Sequence, residues 1–126
     1  MREGDVVPVR AIRGATCLTA DDKSEMNEAV AELLLDMLTA NGLTPDDVIS
    51  VLLTSTPDLV CGFPAAAARG VGFAEVPLIC AQEIDVDGAL ARTVRVMMHV
   101  ETDLARSAVT HVFTRGAQVL REDLAR

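Results

Sequence analysis

The clearest pattern along the chain is an amphipathic helix in its first third. Seven apolar positions recur with i, i+3, i+4, i+7 spacing and share one helical face. They are Met26, Ala29, Val30, Leu33, Leu34, Met37 and Leu38. The segment 19–22 brings acidic residues to the first turn, and Asn41 with Gly42 supplies a stop. The spacing therefore predicts one long helix with a single buried face.

Apolar runs of strand length predict a sheet. They cover residues 7–15, 48–55, 76–81 and 93–101, and the last run alternates with a period of two. In that run Val94, Val96, Met98 and Val100 share one face. Two short strands at 110–113 and 117–120 are predicted to form a hairpin around Arg115-Gly116.

Short helical pieces are predicted between the strands. Thr44 caps a turn that has Pro45 at its first position, and Pro64 leads into an alanine-rich helix over 65–69. A further helical piece is expected to run up to Arg92. The resulting order, β-α-β-α-β-(α)-β-β, predicts an α/β (α+β) domain, with a mixed sheet and helices on one face.

The length of 126 residues fits one domain over 1–126, with 1–8 expected to be a flexible extension. Strands such as 48–55 and 94–100 are too apolar to leave their second face in water. Copies of the same chain would cover that face. The pattern therefore predicts a homo-oligomer.

Composition narrows the function classes. The net charge of −8 and an aromatic content of 2% argue against nucleic acid or an anionic membrane as partners. The three cysteines form no C-x-x-C pair, and the two histidines form no H-E-x-x-H motif. Neither a metal site nor a disulfide framework is therefore expected. No signal peptide and no membrane span are visible. These features predict a cytoplasmic protein.

Arginine supplies almost all of the positive charge. Eleven residues are Lys or Arg, and Lys23 is the only lysine. An arginine-rich genome explains such a total, but arginine is also a bidentate ligand for carboxylates. The arginines that lie near the ends or centres of predicted elements are Arg13, Arg69, Arg95 and Arg121.

Arg95 is the most informative of them because its neighbours in the strand are apolar. A buried unpaired charge is very costly, so Arg95 must reach solvent, pair with Glu83 or Glu101, or face a ligand. Glu83 could act as a general base, but no nucleophile, metal ligand or histidine partner lies at a recognisable spacing from it, and Cys80 is interpreted as a core thiol. The residues alone therefore predict a small anionic ligand bound by arginines.

Several segments, taken in order, resemble one known family over about residues 9–124. These segments are 10–16 (RAIRGAT), 55–59 (STPDL), 63–69 (FPAAAAR), 76–83 (VPLICAQE), 94–98 (VRVMM), 102–103 (TD), 111–113 (HVF) and 117–124 (AQVLREDL). The family is that of the monofunctional, trimeric α/β-type chorismate mutases. Each segment alone is weak evidence for this family, whereas the whole set in this order is specific for it.

The resemblance implies a homotrimeric pseudo-α/β barrel with active sites between adjacent subunits and no cofactor. By matching position, one subunit would supply Arg13, Glu83, Arg95, Leu120 and Arg121. Its neighbour would supply Phe63, Ala65, Arg69, Leu78, Ile79 and Cys80. Phe113 is a further expected substrate-binding residue.

The implied reaction is the rearrangement of chorismate to prephenate in aromatic amino-acid biosynthesis. Under this resemblance Arg95 would stabilise charge on the breaking ether oxygen, and Glu83 would accept a hydrogen bond from the ring hydroxyl. Arg13 would hold a carboxylate, and Arg69 and Arg121 would add electrostatic support. Such a reaction needs no triad and no metal.

Two positions depart from the family pattern. Ala66 replaces the lysine of some members, and Phe113 replaces the usual tyrosine. Both changes predict a raised KM with a largely preserved kcat. Two alternatives stay open from sequence: a trimeric binding protein that has lost activity, and a small trimeric imine or enamine deaminase.

Overall fold

The computed structural model describes residues 6–123, and the side chains of residues 6–120. Its centre is a mixed five-stranded sheet in the order β3-β2-β4-β1-β5. The strands are β1 (Val9–Cys17), β2 (Val48–Ser55), β3 (Leu78–Gln82), β4 (Thr93–Glu101) and β5 (Val112–Phe113). Strand β4 is antiparallel to both β1 and β2, whereas β3 runs parallel to β2 and β5 parallel to β1. The predicted mixed α/β fold is confirmed.

Two α-helices accompany the sheet: α1 (Lys23–Ala40) and α2 (Pro64–Ala68). Three short 3-10 segments cover Pro45–Asp47, Arg106–Ala108 and Ala117–Asp123. Asp22 caps α1 by accepting the backbone N–H of Glu25, and Asn41 closes its C-terminus. None of the helices in the described residues is long and apolar enough to cross a membrane.

Helix α1 covers one face of the sheet and forms the core with it. All seven residues of its predicted apolar face are buried, and Val94, Val96, Met98 and Val100 of β4 meet them. Gly14 marks the closest approach, since a Cβ there would lie 2.5 Å from Met37 Sδ. Both periodicities read from the sequence are thus confirmed.

The opposite face of the sheet, which we call the open face, is largely left uncovered by residues 6–123 of one subunit. Val9, Leu52 and Ile79 lie on it with 53%, 38% and 65% of their surface exposed. The sequence predicts that copies of the chain cover this face, and that stays a prediction.

Two predicted elements are wrong. Residues 117–120 form part of a 3-10 helix and not the second strand of a hairpin. The backbone turns at Arg115 and Gly116, both with positive φ, and this turn packs Ala117 against Ala15 and Phe113. Packing at the end of the sheet therefore replaces strand pairing.

The second error is the helical piece expected before Arg92. That segment is a loop with a turn at Gly88, and Arg92 has a φ of 47°. The backbone N–H of Arg92 donates to the Asp58 carboxylate, at 3.0 Å to Oδ2, instead of to a helical carbonyl. Other boundaries move slightly: β1 begins and ends two residues later than predicted, α2 begins one residue earlier, and a π-helical turn over Arg69–Phe73 continues it.

Candidate active site

A cavity of about 230 Å³ lies on the open face at the centre of the sheet. Its position follows from strand register, because Arg95 of β4 pairs with Ala15 of β1 on one side and with Thr54 of β2 on the other. Side chains alternate along strands, so these residues all point away from α1. The cavity is lined by Arg13, Gly14, Ala15, Leu52, Thr54, Arg95, Val96, Met97, Phe113 and Leu120.

Arg95 is paired with a carboxylate inside this cavity. Its Nε lies 3.2 Å from Oε1 of Glu83, and the two side chains are 39% and 17% exposed. The Nε–H is not aligned for a hydrogen bond, so the contact is an ion pair. One of the partners expected from the sequence is therefore confirmed, and the charge of Arg95 is balanced without being buried.

Thr54 fixes the other oxygen of Glu83. The Thr54 hydroxyl donates to Glu83 Oε2 at 2.7 Å, and the Glu83 backbone N–H donates to the carbonyl of Ser55 at 3.0 Å. The carboxylate is thus held by neighbouring strands before any ligand arrives. Sequence reasoning missed Thr54, because Ser50 and Ser55 also carry hydroxyls in this strand and only the strand register shows which of the three reaches Glu83.

Arg13 is held beside Arg95 by a different set of contacts. Its guanidinium carbon lies 5.9 Å from the centre of the Phe113 ring, within cation–π range. Its backbone N–H donates to His111 Nδ1 at 2.9 Å. Burial, together with the charge of Arg13, lowers the pKa of His111, so this imidazole is neutral and accepts through Nδ1. His111 is a second residue whose role sequence reasoning missed.

The structure brings together Arg13, Arg95, Phe113 and Leu120 around the cavity, with Glu83 paired to Arg95. It does not bring the remaining predicted residues to them. Phe63 is 75% exposed, Arg69 is exposed after α2, and Leu78, Ile79 and Cys80 lie on β3 at one edge of the sheet. Within one subunit the two predicted groups are separate.

A second cavity, of about 380 Å³, lies among part of this second group. It is lined by Phe63 and Cys80 together with residues of the loop after β2. Ala65 differs from its neighbours, because it is only 4% exposed and packs in the core of its own subunit. Its side chain therefore does not support a contact with substrate.

Arg121 has its backbone in the last 3-10 helix, but its side chain lies outside the described residues. Within residues 6–123, no group of three His, Cys, Asp or Glu side chains is arranged to hold a metal ion. Among the described side chains, the first cavity offers two guanidinium groups, the hydroxyl of Thr54, the carboxylate of Glu83 beside Arg95 and an apolar wall.

Comparison with known proteins gives one consistent result. Residues 9–124 match the family described as chorismate mutase type I. Chorismate mutase AroH of Bacillus subtilis is 42% identical over 118 residues, which is 93% of each chain. Chorismate mutase AroH of Thermus thermophilus is 44% identical over 117 residues, covering 92% of this chain and 96% of the relative. A chorismate mutase structure from Clostridium thermocellum has a TM-score of 0.85 and 45% identity, and the alignment covers 86% of this chain and 97% of that chain.

Proposed function

The chain belongs to the chorismate mutase type I family, and we propose that it converts chorismate to prephenate in a site shared by two subunits of a homotrimer. The observation that carries the mechanism is the cavity with Arg95 held by Glu83 and with Arg13 beside it. An imine or enamine deaminase has no support in the family match.

The reaction is an intramolecular [3,3] rearrangement. The allylic C–O ether bond breaks while a C–C bond forms, and no proton is transferred and no covalent intermediate is needed. A catalyst of this reaction has two tasks: to hold the flexible dianion in a chair-like conformer, and to stabilise negative charge on the ether oxygen. Both tasks suit guanidinium groups in a partly apolar cavity.

Arg95 takes the electrostatic task. Glu83 pairs with its Nε side, which leaves the terminal N–H groups of the guanidinium to donate to the ether oxygen. Because Thr54 already engages Glu83, the arginine is oriented before the substrate binds. A donor preorganised in this way contributes about 3–4 kcal/mol to the transition state.

Arg13 takes the binding task and pairs with a substrate carboxylate. The Phe113 ring supports its guanidinium from one side. Two cations and one carboxylate give the cavity a local excess of positive charge, although the whole chain carries −8. A small dianion responds to this local field and not to the net charge.

A second subunit completes the site in this proposal. The strand order puts β3 and β5 at opposite edges of the sheet, so Ile79 and Phe113 are far apart in one chain. Each chain thus offers one group of site residues around the first cavity, on β1, β4 and β5 with Glu83 directly after β3, and another group on β3 itself, on α2 and on the loop before α2. A ring of three subunits joins the unlike edges of neighbouring chains and covers the apolar open face.

We place the reaction in aromatic amino-acid biosynthesis and the protein in the cytoplasm. The thiols of Cys17, Cys61 and Cys80 are all free, which fits a reducing compartment.

The proposal is tested by chorismate consumption and by oligomeric state. We expect the purified protein to convert chorismate, the Arg95→Ala variant to lose that activity, and light scattering to give the mass of three chains. Wild-type protein that binds chorismate but consumes none would be a binding protein without the enzyme's activity, which overturns the proposal. An active monomer would overturn the shared site alone.

A further inference from the structure

We infer that Asp21 is a positioning residue: it holds the loop of residues 58–63 so that Phe63 projects into the neighbouring subunit's site. The inference rests on the proposed function, because it takes Phe63 as a wall of a site whose Arg95 belongs to another chain. Asp21 itself touches neither substrate nor Arg95.

The carboxylate of Asp21 binds the middle of this loop. Its Oδ1 accepts the backbone N–H groups of Val60 and of Cys61, both at 3.0 Å. The nearby Cys61 thiol, and then those two backbone bonds, lower the pKa of Asp21. The carboxylate is therefore ionised at neutral pH, and a charged acceptor makes the stronger hydrogen bonds.

The loop has few other contacts to fix its path. Leu59 is buried at its start, and Pro64 is buried at its end, where α2 begins. Between these anchors Val60 is 81% exposed and Phe63 is 75% exposed. Cys61 is partly buried against the core, so packing holds one point of this segment, while the two bonds to Asp21 fix the backbone at Val60 and Cys61 and no packing of its own holds Phe63.

Asp21 is well placed for this task because it directly precedes the N-cap of α1. Helix α1 is anchored in the core through seven buried side chains. The Lys23 side chain also lies beside Gly62, 3.6 Å from where a Cβ of that glycine would be. The loop is thus tied to a helix that is anchored in the core of its own subunit.

The adjacent Asp22 provides a matched control. Its Oδ2 accepts the N–H of Glu25 at 2.8 Å and caps α1, and no hydrogen bond joins it to the described residues of the loop. Loss of an N-cap lowers helix stability without moving a loop that the cap does not touch. A comparison of variants at these two neighbouring aspartates therefore distinguishes an effect on loop position from an effect on helix stability.

Kinetics of three variants test the inference. We expect Asp21→Ala to raise KM for chorismate about tenfold and to leave kcat within about twofold, because a displaced wall weakens binding more than chemistry. Asp21→Asn keeps an oxygen that accepts both N–H groups and restores most of the affinity. Asp22→Ala lowers Tm and leaves KM unchanged. An Asp21→Ala variant that loses Tm but keeps its KM, or an Asn variant that fails to rescue, overturns the inference.

Mixed trimers test whether the effect crosses the subunit boundary. Co-expression of Asp21→Ala with Arg95→Ala pairs an intact Arg95 with an intact loop in about a quarter of all sites. We expect kcat/KM of the mixture to exceed the mean of the two parent variants several-fold. A value equal to that mean would show that Asp21 acts on the site of its own chain, and the inference fails.

Amide exchange separates this inference from the proposed function. If the wild-type protein consumes no chorismate, the proposed function fails while the loop contact is still measured directly. We expect the amides of Val60 and Cys61 to exchange at least tenfold faster in Asp21→Ala than in the wild type, and at the wild-type rate in Asp22→Ala. Equal rates in the wild type and Asp21→Ala overturn the role of Asp21 outright.

Discussion

The two faces of one sheet differ in what they do. On the face under α1, the inward residues of β4 are at most 3% exposed and pack in a continuous apolar core. On the open face, the same strand presents Arg95, which is 39% exposed and paired with Glu83. Alternation along a single strand thus assigns stability to one face and chemistry to the other.

Residues at the two ends of α1 also hold the segments that carry proposed site residues. At one end of α1, Asp21 binds the loop that leads to Phe63. At the other end, the buried amide of Asn41 donates to the carbonyl of Thr110 at 2.9 Å and accepts its N–H at 2.8 Å, just before His111. A helix that contributes nothing to the cavity lining therefore positions both groups of proposed site residues.

Arg95→Ala is expected to show the difference between the two faces most strongly, because it should lower activity and leave stability unchanged. Removing the donor to the ether oxygen should lower kcat about 10²–10³-fold. Steady-state chorismate consumption measures the loss, and thermal unfolding serves as the control, because the side chain is not part of the core. A loss of less than tenfold would contradict the role given to Arg95.

Leu33→Ala is the converse change on the covered face. Leu33 is fully buried between α1 and the sheet, so the cavity left behind should lower the free energy of unfolding by about 2–5 kcal/mol. Urea unfolding at a fixed protein concentration measures it. The kcat of the folded protein should stay within about twofold of the wild type, and a much larger change in kcat would mean that the faces are not independent.

Thr54→Val tests how the open face is preorganised. The change keeps the shape of the side chain but removes the hydroxyl that donates to Glu83, and we expect kcat to fall about tenfold. Thr54→Ser, which keeps the hydroxyl, is the matched control and should retain most of the activity. Equal loss in both variants would point to packing and not to the hydrogen bond.

Phe113→Tyr adds the hydroxyl that the resemblance to the family leads us to expect at this position. We expect KM for chorismate to fall about threefold to tenfold, with kcat nearly unchanged, because the added donor binds the ground state and the transition state alike. The Michaelis curves of the two proteins decide the matter. An unchanged KM would contradict the prediction that this departure weakens binding.

The smallest expected effect is the change of the free energy of unfolding with pH that His111 causes. Its folded pKa lies below the unfolded value of about 6.5, so the unfolded chain binds the extra proton first. Stability should be level above that pH and fall as the pH drops through it, until the folded pKa is also passed. Unfolding curves between about pH 5 and pH 8 measure the slope. His111→Asn, whose oxygen also accepts the Arg13 N–H, should flatten it.

The sequence by itself determined the long elements and the residue types of the site. The seven-residue face of α1 and the alternation in β4 are local periodicities, and each contains enough repeats to specify its element. The concentration of charge in arginine pointed to a small anion, and the ordered segments pointed to the family.

Only the tertiary structure decided how the side chains meet. The Thr54, Glu83 and Arg95 contacts join three segments that are far apart in the chain, and no local pattern encodes that register. Residues 117–123 form a 3-10 helix and not a strand, because the packing of Ala117 against Ala15 and Phe113 outweighs the weak preference of a short segment. Local spacing specifies elements, whereas contacts between distant segments form only when the sheet is assembled.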